Sequence, residues 1–153
     1  MPRLLRFEEL PGLAGQEVAL SDWFAVGQER VDAFAEATGD RQWIHVDPER
    51  CRRESPFGGP VAHGFLSLSL LPAMLDSALR IEGLRMGLNY GLNKVRFPAP
   101  LPVGSRVRAR WTLAAAEPVA GGLQLTWEAL VERDGAEDGR PVCAAEFLVR
   151  CYG

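Results

Sequence analysis

Histidine, cysteine and lysine are all scarce in this 153-residue chain: two histidines, three cysteines and, among 17 basic residues, one lysine, Lys94. Cys51, Cys143 and Cys151 are odd in number and far apart, which argues against a disulfide framework and points to free thiols in a reducing compartment. A net charge of −3 gives no reason to expect nucleic acid or an anionic membrane as partner. The chain also has no apolar run of 18 residues. Its most apolar stretch, Phe65 to Leu79, is interrupted by Ser67, Ser69, Pro72, Asp76 and Ser77, so a core helix is expected there rather than a membrane span. The start, MPRLLRFEELPGL, reaches acidic residues before any apolar run of signal-peptide length, so the cytoplasm is the expected location. No G-x-S-x-G is present, which removes the nucleophile elbow of a Ser-His-Asp hydrolase. The two histidines are not four apart on a helix, so the commonest zinc spacing is missing too.

What remains is the composition of an ordinary globular protein, 47% hydrophobic and 24% charged, in a length suited to one domain over residues 1–153. Residues 1–27 read as an irregular lead-in with a short helix or strand around Leu4 to Leu10. Gln28 to Thr38 has Val31, Phe34, Ala35 and Thr38 on one helical face, with Gly39 placed as a left-handed C-cap. Asp47-Pro48 opens a short helical turn, and SPFGGP from Ser55 is loop. Gly64 to about Leu79 is expected to be one long helix, apolar almost all round and kinked or broken by Pro72.

Beyond Gly83 the period shifts to that of strands. Leu88 to Phe97 is one, with Gly91 as a bulge or point of close approach. Ser105 to Leu113 alternates Val107, Ala109, Trp111 and Leu113 against Arg106, Arg108 and Arg110. Leu123 to Val131 alternates apolar residues against Gln124, Thr126 and Glu128, with Glu132 beyond, so arginine and glutamate faces can pair across an antiparallel ladder. Val142 to Tyr152 is the last strand. The fold class is therefore α+β: helices first, then about four antiparallel strands that wrap one long central helix. Open sheet edges make a dimer a reasonable expectation.

Both histidines lie in TGDRQWIHVDPERCRRESPFGGPVAHGFLSLSLLP, from Thr38 to Pro72. Asp40 and His45 can converge across a helix end and an extended loop, giving a carboxylate–imidazole pair that moves a proton near neutral pH. The same spacing suits an aspartate that caps the turn and a histidine bound to a backbone carbonyl, the commoner use of an isolated D-x4-H. Gly64 opens the apolar helix, where free N–H groups and the dipole stabilise an oxygen gaining charge. It can equally serve tight packing, and His63 reads as a capping or packing residue. Asp40, His45 and His63 as metal ligands, Cys51 as a nucleophile and the Arg50, Arg52, Arg53 cluster as a phosphate site are weaker readings. No metal is expected.

These residues carry a family resemblance. FAEATGDRQWIHVDPERC and SPFGGPVAHGFLSLSLLP, with LNYGLNKVRFPAPLPVGSRVRA further on, resemble the MaoC-like dehydratases, the (R)-specific enoyl-CoA hydratases of the hot dog fold, and within them the nodulation protein N-like subgroup. The family signature is roughly G-D-x-N-P-x-H. Gly39, Asp40 and His45 match it, while Gln42-Trp43 replace Asn-Pro. The resemblance implies Asp40 and His45 as catalytic pair, Gly64 as the oxyanion donor, and a hot dog fold that pairs into a homodimer. It implies reversible hydration of a trans-2-enoyl-CoA to the (R)-3-hydroxyacyl-CoA, with no cofactor beyond the CoA of the substrate. Gln42, Trp43, Lys94 and Arg96 are the further candidates for substrate contact. A hot dog thioesterase and a non-catalytic acyl-CoA-binding dimer are the alternatives.

Overall fold

A computed structural model describes residues 1–153. Strands β6 (Ser105–Val119), β7 (Gly122–Arg133) and β8 (Cys143–Tyr152) pair antiparallel as consecutive neighbours. Their alternation does what it promised: Val107, Ala109, Trp111, Leu113, Leu125, Trp127, Ala129, Val131, Cys143 and Cys151 all point inward and are buried. Trp111 and Trp127 meet edge to face, ring centroids 5.8 Å apart, at the middle of this face. The outer face carries the charges. Arg108 lies opposite Glu132 in the ladder, and Glu132 accepts hydrogen bonds from both Arg108 and Arg110.

The lead-in is more ordered than its sequence suggests. β1 (Arg3–Arg6), a 3-10 turn (Phe7–Leu13), β2 (Gln16–Leu20) and β3 (Phe24–Val26) precede the first helix, so the chain does not begin with helices. β2 and β3 pair antiparallel with two stretches of β6, while β1 runs parallel to β4 (Leu79–Glu82) in a small separate sheet. The main sheet has six strands, in the order β2-β6-β7-β8-β5 with β3 also on β6, not about four. These early strands are short and their partners lie far along the chain, so no local alternation marks them.

Helix α1 (Gln28–Thr38) ends at Gly39, which sits at φ 81° and donates its N–H to the Ala35 carbonyl, as expected of a C-cap. α2 (Trp43–Val46) is a single turn, and Asp47 caps α3 (Pro48–Glu54) by accepting from the Arg50 N–H. The expected long helix is two: α4 (Gly64–Ser69) and α5 (Leu71–Ala78), broken at Leu70 with Pro72 in the first turn of α5. Leu66, Leu71, Met74 and Ala78 join the core with the inward faces of β6–β8. The remaining sides are less enclosed than an all-round apolar helix implies, since Phe65, Ser69, Ala73 and Asp76 are exposed.

β5 (Met86–Arg96) pairs only with β8, and bulges at Tyr90 and Asn93 place two of its residues against one of β8's. The expected bulge near Gly91 is therefore present. No helix is long and apolar enough to cross a membrane.

Glu132 supplies a test of the outer face. Partial burial alone would raise its carboxyl, but the hydrogen bonds and charges of Arg108 and Arg110 outweigh that and hold it below the usual 4.5. A carboxyl depressed by folding stabilises the native state above its unfolded pKa and loses that contribution as pH falls through the folded one. Urea denaturation should therefore show wild type more stable than Glu132→Gln at pH 7, with the gap closing as pH drops below about 4.5.

Candidate active site

Asp40 follows the α1 cap at the protein surface, while His45 points inward from α2 and is buried. Val61 locks α2 in place. Its N–H donates to the Ile44 carbonyl at 3.0 Å, and its carbonyl lies 2.6 Å from His45 Nδ1. A carbonyl only accepts, so Nδ1 carries the ring hydrogen and Nε2 keeps a free lone pair. The commoner use of a buried histidine, a bond to a backbone carbonyl, is thus present and leaves the second nitrogen open for chemistry. Gln28, at the start of α1, donates to the His45 carbonyl at 2.8 Å and adds a third tie.

Side-chain donor atoms of Asp40, His45 and His63 lie within 4.8 Å of one another. Asp40 and His45 make no direct hydrogen bond. One water at about 2.8 Å from each of two acceptors spans roughly 4.5 Å between them, so the separation suits a shared water. The His45 and His63 rings stack at 3.8 Å with an interplanar angle of 24°. An ion in the plane of one ring would lie outside the plane of the other, and a metal ligand binds in its ring plane.

Gly64 begins α4, and its N–H has no partner within the chain. The ring of Phe97 covers its Cα so closely that a Cβ would meet ring carbons at 2.8–3.0 Å. Gly64 and Phe97 border a mostly apolar cavity of about 270 Å³ with Phe57, Ala62, Pro98 and Leu101. Two further hollows flank the central helices and share Pro72, Asn89 and Phe147: a mostly apolar one of about 310 Å³ and a mixed one of about 630 Å³ that also carries Asp76 and Arg80.

The model of the MaoC like domain matches residues 9–127 of this chain. The chain belongs to the MaoC-like family. This MaoC-like protein is 50% identical to 3-hydroxyacyl-thioester dehydratase Z of Mycobacterium tuberculosis over 143 residues, 93% of each chain. It is 47% identical to Nodulation protein N of Rhizobium leguminosarum bv. viciae over 146 residues, covering 94% of this chain and 89% of that one. The solved (R)-hydratase from A. caviae, involved in PHA biosynthesis, matches with a TM-score of 0.67 at 25% identity, covering 89% of this chain and 94% of that one. The hot dog architecture follows.

Not every candidate from the sequence meets at this MaoC-like site. Asp40, His45 and Gly64 flank His63. Gln42 is exposed, caps α2 through its carbonyl and makes no side-chain hydrogen bond. Trp43 packs under the Arg50 guanidinium, 4.2 Å from the ring centroid. Arg50 is further engaged with Glu54. Lys94 and Arg96 border a separate hollow on the outer sheet face with Glu17, Arg110, Glu128 and Glu146. Cys51 is buried, and burial followed by the charge of Asp47 pushes its thiol up, against a smaller opposing pull from Arg50. That is the setting of a quiet thiol. Val61, Gln28 and Phe97 went unnoticed in the sequence. A backbone carbonyl or a covering ring can come from any residue of suitable size, so no motif marks them.

The fit of Phe97 over Gly64 is testable. Gly64→Ala should cost about 1–3 kcal/mol in urea denaturation through overpacking. In a Phe97→Ala background the same change should cost much less, because the obstructing ring is gone.

Proposed function

We propose that this protein catalyses the reversible, (R)-specific hydration of trans-2-enoyl-CoA to (R)-3-hydroxyacyl-CoA, with Asp40 and His45 handling one water. It is an acyl-thioester hydratase/dehydratase, a lyase, as the names of its relatives 3-hydroxyacyl-thioester dehydratase and (R)-hydratase support. One observation carries the residue assignment: side-chain ligand atoms of Asp40 and His45 lie within 4.8 Å of each other, beside His63, the residue directly before the unpaired Gly64 N–H.

Hydration adds hydroxide to Cβ and a proton to Cα. The Asp40–His45 pair takes a proton from the water as its oxygen attacks Cβ, and returns one to Cα from the same side. The addition is therefore syn. Electron density withdrawn from the alkene accumulates on the thioester oxygen, which the Gly64 N–H stabilises. Water, two side chains and one amide suffice, so the reading invokes no metal or redox cofactor. The smaller, mostly apolar hollow beside α4 and α5 suits an acyl chain. Gln42, Trp43, Lys94 and Arg96 hold no assigned role in this scheme, and a CoA substrate together with three unpaired, buried thiols favours the cytoplasm.

Enoyl-thioester absorbance should fall when the protein is added to crotonyl-CoA, without free thiol released to a chromogenic reagent. Release of CoA would instead identify a thioesterase, and binding without turnover a non-catalytic acyl-CoA protein. Asp40→Asn and His45→Gln should each lower kcat by about 10²-fold or more. Wild-type turnover in both variants would remove the pair from the mechanism.

The protein is further proposed to form a homodimer through β5. This strand has one neighbour and leaves a row of backbone groups unpaired, while Met86, Leu88, Tyr90 and Leu92 are all exposed along it. A second copy is the occupant that matches both its backbone and its apolar side chains. Light scattering should report twice the 16.8 kDa chain mass at micromolar concentration, and Leu88→Lys with Leu92→Lys should halve it. A monomeric wild type would contradict the proposal.

A further inference from the structure

His63 is 2% exposed, more deeply buried than His45. Its Nε2 lies 2.9 Å from the carbonyl oxygen of Asp40. Because that oxygen can only accept, Nε2 carries the hydrogen and Nδ1 is left as a bare acceptor. Nδ1 is buried and has no hydrogen-bond partner. An orphaned buried acceptor is unfavourable. Packing alone would be better met by phenylalanine, which could lie against Phe34 (ring centroids 4.9 Å from His63) and His45 without it. What the imidazole adds over phenylalanine is the Nε2–H.

That hydrogen holds the peptide of Asp40, and little else does. Gly39, Asp40, Arg41 and Gln42 are all exposed, and the local ties of Asp40 are two long contacts of 3.4 Å, its N–H to Thr38 Oγ1 and its Oδ1 from the Gln42 N–H. The face of the same ring stacks on His45. Its backbone is the N-cap residue of α4, directly before Gly64. We propose that His63 is a positioning residue that sets the spacing of Asp40 and His45 and ties both to the helix presenting Gly64. This rests on the hydratase reading above and assigns His63 no contact with substrate.

Steady-state hydration of crotonyl-CoA separates the possibilities when kcat, KM and Tm are measured together. His63→Phe keeps a ring for stacking and loses the donor. It should lower kcat about 10- to 100-fold, as a small misplacement of a reacting group does, with KM within about threefold of wild type and Tm not reduced. His63→Gln, whose amide can donate to the Asp40 carbonyl, should regain most of the lost kcat. In an Asp40→Asn background, His63→Phe should cost little more, since the carboxylate it positions is gone. If His63→Phe does not fold, His63→Gln against His63→Met makes the same comparison between side chains of similar length with and without a donor. Equal kcat in that pair, a His63→Phe kcat within about twofold of wild type, or an undiminished loss in the Asp40→Asn background would overturn the proposal while leaving the hydratase reading intact. A wild type inert on enoyl-CoA would overturn both.

Discussion

Leu66, Leu71, Met74 and Ala78 are packed into one core with the inner faces of β6, β7 and β8, where Trp111 and Trp127 are fully buried. Filling that face requires a helix, and burying each large apolar side chain is worth about 1.5–3 kcal/mol. Once the helical pair lies there, the start of α4 is no longer free to move. His63 is buried beneath Asp40, and Gly64 faces Phe97 at the end of the edge strand. The break at Leu70 lets the two halves follow the sheet separately while Pro72 occupies a first-turn position that needs no donor.

The hydrogen bonds that fix the two histidine rings of the site run to backbone rather than to other side chains. Val61 binds α2 through both its N–H and its carbonyl, and the Asp40 carbonyl receives His63. The two carbonyls each fix one ring nitrogen as donor, Nδ1 of His45 and Nε2 of His63. The remaining atoms, His45 Nε2 and the Asp40 carboxylate, stay available to a ligand. A direct Asp40–His45 bond would have closed the gap in which a water can be shared. The carboxylate sits at the surface and the imidazole is buried.

The two ends of the sheet differ in character. On the outer face of the middle strands, Glu132 gathers Arg108 and Arg110, and Arg110 also reaches Glu17. These pairs are partly exposed and contribute little individually, yet they keep the outer face wet and leave the apolar surface to β5. There Met86, Leu88, Tyr90 and Leu92 accompany an unpaired strand edge. Bulges twist this strand locally.

Period-two alternation determined β6, β7 and β8 from sequence alone, because a strand with one dry face must repeat every second residue. Local chemistry likewise determined α1, its Gly39 cap, the Asp47 cap and the break near Pro72, each of which depends on residues within one turn. Asp40 and His45 were singled out through family resemblance more than through spacing, and Gly64 through both its place at a helix start and the resemblance. Tertiary structure alone decided the strands of the first 27 residues, since β1, β2 and β3 exist by pairing with residues 79–82 and 105–113. It also moved Trp43 under Arg50 and set Lys94 and Arg96 on the outer face. His63 shows the division most clearly. In the sequence it was a residue before a helix. Its stack on His45 and its bond to a carbonyl 23 residues away arise from chain segments that meet only when the core closes.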